Sequence, residues 1–255
     1  MKKKIISLLL VAACTLSMAA CGSKEEAKDK LVVGTEAGFA PYEYMKGNEV
    51  VGIDMDIAQA IADELDMELE IMNMDFDGAL AAAASGKVDF VAAAVSVTDE
   101  RKEMVDFSHE YVDSTEVIVV NKENPMVASE GEEIDPAVLN DKIVAVQQGN
   151  IADIFVTNKD NCQVKEVKRY TKFAQAAEDL KNNKVDCIVM DKYPAEELVE
   201  ENDALVILDG TLFQDKYALG VKKGNDELLE KINAVIDKLI EDGKIDEFTA
   251  NHVQE

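Results

Sequence analysis

Residues 87–108 read KVDFVAAAVSVTDERKEMVDFS. Residues 88–95 are a short apolar run after Ser85-Gly86, the pattern of a buried strand. The run breaks into Ser96-Val97-Thr98-Asp99-Glu100-Arg101, in which Thr98 reads as a helix cap with acids in the turn behind it. A helix start leaves backbone N–H groups unpaired and carries positive potential, so it suits an anion. Arg101 falls in that first turn, where its planar fork is able to hold a carboxylate through two charge-assisted bonds. Ser96 adds a hydroxyl at the mouth. These are the parts of a carboxylate receptor. Taken alone, the same residues also describe a strand-to-helix turn with Arg101 paired to Glu100 or Glu103 on the surface, a weak interaction.

On the N-terminal side, strands and helices alternate. Residues 31–35 read as a strand, and Ile53, Ile57, Ile61 and Leu65 mark one face of a helix. A strand at 68–72 follows, then an Ala-rich helix at 77–85 that stops at Gly86. The order β-α-β-α-β implies a largely parallel sheet with right-handed crossovers. A second pass begins near Asp141, with strands at 143–147, 163–167 and 185–190 and helices at 151–157 and 171–181. The junctions Ser85-Gly86-Lys87-Val88-Asp89 and Asn182-Asn183-Lys184-Val185-Asp186 correspond. Strands at 116–120 and 217–221 connect the passes, and a helix at 226–240 is expected to pack back on the first unit. Two lobes follow, 31–112 with 216–255 and 113–215, joined by crossings near 111–115 and 213–217 that make a hinge.

The N-terminus reads as a targeting segment. Lys2, Lys3 and Lys4 precede an apolar run too short to span a membrane, and Ser17-Met18-Ala19-Ala20 leads to Cys21. The charged residues behind Cys21, to residue 30, read as a flexible tether. The formal charge of the whole chain is −26, and removal of residues 1–20 deletes three lysines and no acids, leaving −29. Such a surface argues against nucleic acid and anionic membranes as partners. Cys162 and Cys187 remain in the mature chain, and spacing leaves open whether they pair. His109 and His252 are isolated in sequence, and there is no metal signature. No cofactor is expected.

Open parallel sheets bind ligands beyond the carboxyl ends of their strands. The first strand is followed by Glu36-Ala37-Gly38-Phe39-Ala40-Pro41-Tyr42-Glu43-Tyr44, and then comes Gly52-Ile53-Asp54-Met55-Asp56. Asp75-Phe76-Asp77 follows the second strand, and Ala94, Ser96 and Arg101 follow the third. In the second unit, Gln147-Gln148-Gly149-Asn150-Ile151 and Asp191 hold the corresponding places. Together with Phe107 to Tyr111, FSHEY, these motifs resemble the bacterial extracellular solute-binding proteins of family 3, which bind polar amino acids for ABC importers. Glu110 stands where that family usually has Pro, and Asn150 and Ile151 replace smaller residues. The segment ending at Cys21 resembles a lipobox, which implies a lipid on Cys21 and anchoring to the outer face of the cell membrane.

The resemblance implies a two-lobed α/β fold of the type II periplasmic-binding-protein kind, each lobe a mainly parallel sheet flanked by helices, with the cleft between lobes and a two-strand hinge. It also implies roles. Arg101 and Ser96 would hold the ligand's α-carboxylate with backbone N–H groups near Asn150 and Ile151. Asp191 and a carbonyl near Ala94 would hold the α-ammonium. Phe39 and Phe76 would sandwich the side chain, with Glu36 at its far end and Gln147 opposite. By residue type alone, the two Phe also suit a core, Asp191 a helix cap and Glu36 an exposed loop. The leading reading is a monomeric binder that hands an amino acid, basic or glutamine, to a membrane permease. An enzyme resembling the cyclohexadienyl dehydratases and a sensor module are the alternatives. The first would need an acid or base among Glu36, Glu43 and His109, and the second a membrane or kinase-like region after Glu255.

Overall fold

The computed structural model describes residues 29–126 and 132–253. The leader at 1–20, Cys21 and the tether as far as residue 28 lie outside the described residues. The chain first forms β1 (Lys30–Thr35), β2 (Gly38–Phe39), β3 (Glu43–Lys46), β4 (Glu49–Val51), α1 (Ile53–Glu64), β5 (Glu68–Asn73), α2 (Phe76–Ser85), β6 (Phe90–Val91), α3 (Asp99–Met104) and β7 (Val105–Phe107). The long β8 (Val112–Asn121) crosses into the second unit. There follow a 3₁₀ turn at Pro136–Leu139, β9 (Ile143–Gln147), α4 (Ile151–Thr157), β10 (Glu166–Tyr170), α5 (Phe173–Lys181), β11 (Cys187–Asp191), α6 (Lys192–Glu200) and β12 (Leu205–Ile207). The return runs through β13 (Phe213–Tyr217), β14 (Gly220–Lys222), α7 (Asp226–Glu241) and α8 (Lys244–His252).

Two large sheets result, ordered β5-β1-β6-β14-β7 and β10-β9-β11-β8-β12, with β13 also paired to β8. The parallel part of each is three strands: β5, β1 and β6 in one, β10, β9 and β11 in the other. The strands that carry the chain between sheets, β8, β13 and β14, join antiparallel. Burial on both sheet faces follows strand alternation. In β8, Val117 and Val119 face one apolar cluster while Ile118 and Val120 face another. Ile53, Ile57 and Ile61 of α1 are wholly buried, each contributing about 1.5–3 kcal/mol relative to exposure. Helices α7 and α8 pack on α1, so the chain's last helices do return to the first sheet.

Several elements differ from the expectation. The strand at 88–95 is only β6, because the chain turns at Ala94, which takes φ 47. The strand expected at 163–167 is shifted to β10, since Gln163 and Lys165 are tied instead to Asn140 and Lys142. The strand expected at 217–221 splits, β13 serving one sheet and β14 the other. The small β2-β3-β4 sheet and α8 have no counterpart in the sequence reading. Cys162 and Cys187 are both free thiols buried in one apolar cluster, so no disulfide links them. Neither histidine is isolated in space: His109 Nδ1 lies 2.7 Å from Asp237, and His252 lies 3.0 Å from Asp56 and 3.1 Å from the Tyr44 hydroxyl.

The β2-β3-β4 sheet is fixed to α1 at Gly52. Gly52 has φ 135, in a region that only glycine occupies readily, and a Cβ there would overlap the Tyr42 carbonyl. Gly52→Ala is therefore expected to lower unfolding free energy by more than about 2 kcal/mol in denaturant titration. A loss below about 0.5 kcal/mol would show that the turn relaxes without strain.

Candidate functional site

The carboxyl ends of β1, β5 and β6 face those of β9 and β11 across a cleft, as the expected strand order requires. A small cavity of about 20 Å³ lies between them. From the first unit, Glu36, Phe39, Phe76, Ala94 and Ser96 line it. Gln147, Asn150 and Ile151 close it from the second. Eight of the ten residues singled out in the sequence thus meet at one place. The other two, Arg101 and Asp191, lie just outside that wall.

Thr98 caps α3, its hydroxyl accepting from the Arg101 N–H at 3.2 Å, and so fixes where Arg101 begins. Arg101 is buried and pairs with neither Glu100 nor Glu103. Its Nη1 donates to the Ser96 carbonyl at 2.7 Å and its Nη2 to the Gly149 carbonyl at 2.9 Å, while its guanidinium lies 5.1 Å from the Phe76 ring centre. Burial lowers its pKa to about 10, so it remains charged at neutral pH. Ser96 donates its hydroxyl to Asp215.

The bond from Arg101 to Gly149 joins the two lobes. So do Gln148 to Asp77 at 2.9 Å and Gln147 to Glu36 at 3.0 Å. Gly149 has φ 76, which favours glycine, and a Cβ on it would lie 2.0 Å from Asp77 Oδ1, so a side chain there would displace the Asp77 carboxylate. Phe39 stacks on Phe173 of the opposite lobe at 6.0 Å, and on Tyr42 at 5.9 Å, with no stacking on Phe76.

Glu36 is not an exposed loop acid but is 3 % exposed. One oxygen accepts from Gln147. The other makes no hydrogen bond and has only Lys172 Nζ at 3.6 Å. Burial raises its pKa, and Lys172 opposes the rise. Asp191 does cap α6, accepting from the Tyr193 N–H at 3.2 Å, and also accepts the hydroxyls of Ser114 and Tyr217. Burial raises its pKa as well.

Three further acids were not singled out as site residues. Asp54, from the Gly52-Ile53-Asp54 motif, accepts the Ala94 N–H at 2.8 Å and the Tyr111 hydroxyl at 2.7 Å. It thereby holds the strained turn at Ala94. Burial raises its pKa to about 6, against an ordinary 3.8. Glu43 and Glu116 both line the cavity, and each leaves Oε2 without a hydrogen-bond partner. Burial holds both well above the usual carboxylate range, and Glu43 shares a hydrogen bond with Asp54. Glu43 belongs to a motif quoted from the sequence. Glu116 opens the strand expected at 116–120, and an acid heading an otherwise apolar run was the signal that could have found it. Among the described residues, no group of three His, Cys, Asp or Glu is placed to hold a metal.

A sequence profile of the bacterial extracellular solute-binding proteins, family 3, matches residues 31–255. The arginine-binding extracellular protein ArtP of Bacillus subtilis (strain 168) is 31 % identical over 249 residues, covering 94 % of each chain. The structure of an ancestral arginine-binding protein bound to arginine superposes with a TM-score of 0.78 at 38 % identity, covering 88 % of this chain and 98 % of that one. An ancestral arginine-binding protein bound to glutamine also gives 0.78, at 36 % identity, covering 89 % and 99 %.

The buried acids set a pH dependence for the protein without ligand. Each holds its proton more tightly folded than unfolded. Their stabilising contribution is complete below about pH 4 and is lost as pH rises through the folded values, about 6 for Asp54. The melting temperature is expected to fall between about pH 5 and 8, and Glu43→Gln, which can still donate to Asp54, should lessen the fall. Calorimetry over that range would contradict this if the melting temperature rose.

Proposed function

This chain belongs to the bacterial extracellular solute-binding proteins of family 3, and from that premise we propose that it captures a basic amino acid, L-arginine foremost, for an ABC importer. The observation that carries the ligand choice is Glu36. It is a buried carboxylate with one oxygen lacking any hydrogen bond, beside the Phe39 and Phe76 rings. Its counter-charge is the half-exposed Lys172 Nζ at 3.6 Å, and a charge so placed is costly to desolvate without a closer partner. A guanidinium supplies that partner as a planar fork, and its face suits the aromatic rings. Glutamine would meet the same oxygen with a neutral amide. Glutamate and aspartate would face like-charge repulsion.

At the other end, Arg101 is the ligand's α-carboxylate receptor, with the Ser96 hydroxyl and the N–H groups at Asn150 and Ile151 beside it. Asp191 and the Ala94 region receive the α-ammonium. A cavity of about 20 Å³ has room for about one water molecule, so an amino acid enters only when the lobes part. The ribbon of β8 and β13, paired from Val112↔Tyr217 to Glu116↔Phe213, is the hinge between residues 31–112 with 216–255 and residues 113–215. The protein acts as a monomer on the outer face of the membrane, held by a lipid on Cys21, and passes its ligand unchanged to a permease. The binding role, rather than the dehydratase or sensor alternative, agrees with the names of the relatives above and with Asp191 standing ready for an α-ammonium.

In a thermal-shift panel of the twenty amino acids with ornithine and cystine, arginine is expected to give the largest shift and glutamate among the smallest. Glu36→Gln should weaken arginine more than glutamine. An aliphatic or acidic amino acid as strongest ligand would refute the ligand choice. Arg101→Ala should weaken binding by about 2–5 kcal/mol in titration calorimetry, with Arg101→Lys recovering part. Retention of affinity within about threefold in the Ala variant would remove Arg101 from the site. Saturating arginine should reduce the radius of gyration in small-angle scattering, and an unchanged curve would count against lobe closure about the β8–β13 ribbon.

A further inference from the structure

Glu116 sits in β8 directly opposite Asp191 in β11 and opposite Phe213 in β13. Directly opposed residues of antiparallel strands point to the same face, with Cβ atoms about 4.5–5.5 Å apart. The two carboxyl groups are therefore neighbours at the hinge end of the cleft. Glu116 is 1 % exposed, lines the cavity and leaves Oε2 without a hydrogen-bond partner.

No cation faces Glu116. On β11 its neighbour is Asp191, and on β13 its neighbours are Asp215 and the Tyr217 hydroxyl. Across the cavity stand Glu36 and Glu43. Lys172 approaches Glu36, and Arg101 donates to the Ser96 and Gly149 carbonyls and not to Glu116. Asp191, meanwhile, already accepts from Ser114, Tyr217 and the Tyr193 N–H. A ligand ammonium brings three donors, more than Asp191 has room for. Among the carboxyl oxygens left open in the cavity, Glu116 Oε2 belongs to the residue that stands in register with Asp191.

We infer that Glu116 is a second anchor for the ligand's α-ammonium beside Asp191, and that seating the ammonium drives a proton off this carboxyl pair into solvent. In the closed cleft two adjacent buried carboxyls share a proton, because neither has a counter-charge. The incoming ammonium provides that counter-charge, the pair ionises fully, and the proton passes to buffer. No covalent bond changes. Capture then becomes tighter as pH rises, since a proton is released on binding. Burial, which keeps Glu116 protonated well above the ordinary carboxylate range, is consistent with this. The inference rests on the reading that an α-amino acid binds here.

The test is titration calorimetry with L-arginine near pH 7 in two buffers of different ionisation enthalpy, phosphate and Tris. The enthalpy difference reports protons exchanged. Wild type is expected to release about one proton per arginine, and its Kd to fall between about pH 6 and 8. Glu116→Gln, checked for folding by circular dichroism, should release almost none, bind about tenfold more weakly and lose the pH slope. Glu36→Gln should bind arginine more weakly yet still release the proton. Arginine binding without proton release in wild type would overturn the inference and leave the proposed function standing, and this outcome needs no variant to fold. Release that persists in Glu116→Gln but vanishes in Glu36→Gln would also overturn it. Failure of every amino acid in the panel to bind would overturn both.

Discussion

Closing a cleft over a cluster of carboxyl groups with a single buried guanidinium is the constraint that shapes this protein. Glu36, Glu43, Asp54, Glu116 and Asp191 are all buried, and Arg101 is the one arginine buried with them among the described residues. Ionised together, they would be prohibitively costly to desolvate. The structure meets the problem in two ways. Some acids become hydrogen-bond hubs, as Asp54 does for Ala94 and Tyr111. Others hold protons and leave oxygens open toward the cavity, as Glu43 and Glu116 do. The result is a cavity with unpaired carboxyl oxygens in its wall and a buried guanidinium just outside it.

The hubs also connect the site to the frame. Asp54 starts α1, whose isoleucine face is buried against the core, and its carboxylate fixes the turn after β6. Asp191 ends β11, starts α6 and reaches Tyr217 and Ser114 on the crossing strands. A displacement at the cleft is thus felt at both a helix start and the hinge.

The closed arrangement relies on close backbone approach as much as on charge. Arg101 reaches the Gly149 carbonyl, and Gly149 passes so near Asp77 that a side chain would displace the carboxylate to which Gln148 donates. The neighbouring residues Gln147 and Gln148 each reach across to an acid, Glu36 and Asp77. The end of β9 and the turn behind it therefore supply three contacts between the lobes.

The sequence by itself determined the alternation of strands and helices, the repeat of that pattern, and the places where strands end. Those features are local: apolar period, caps and turns are written within a few residues of where they act. Because ligand sites of such sheets lie at strand ends, eight of the ten chosen residues fell on one cavity. Thr98 as cap and Arg101 behind it were legible for the same reason. Tertiary structure alone decided what those residues touch. It put Asp191 under three donors, turned Arg101 onto carbonyls 5 and 48 residues away, and stacked Phe39 on Phe173 of the other lobe. It also set Glu116 opposite Asp191, through the register of β8 against β11 and β13. Register between distant strands is set by how whole faces pack, and no local pattern encodes it.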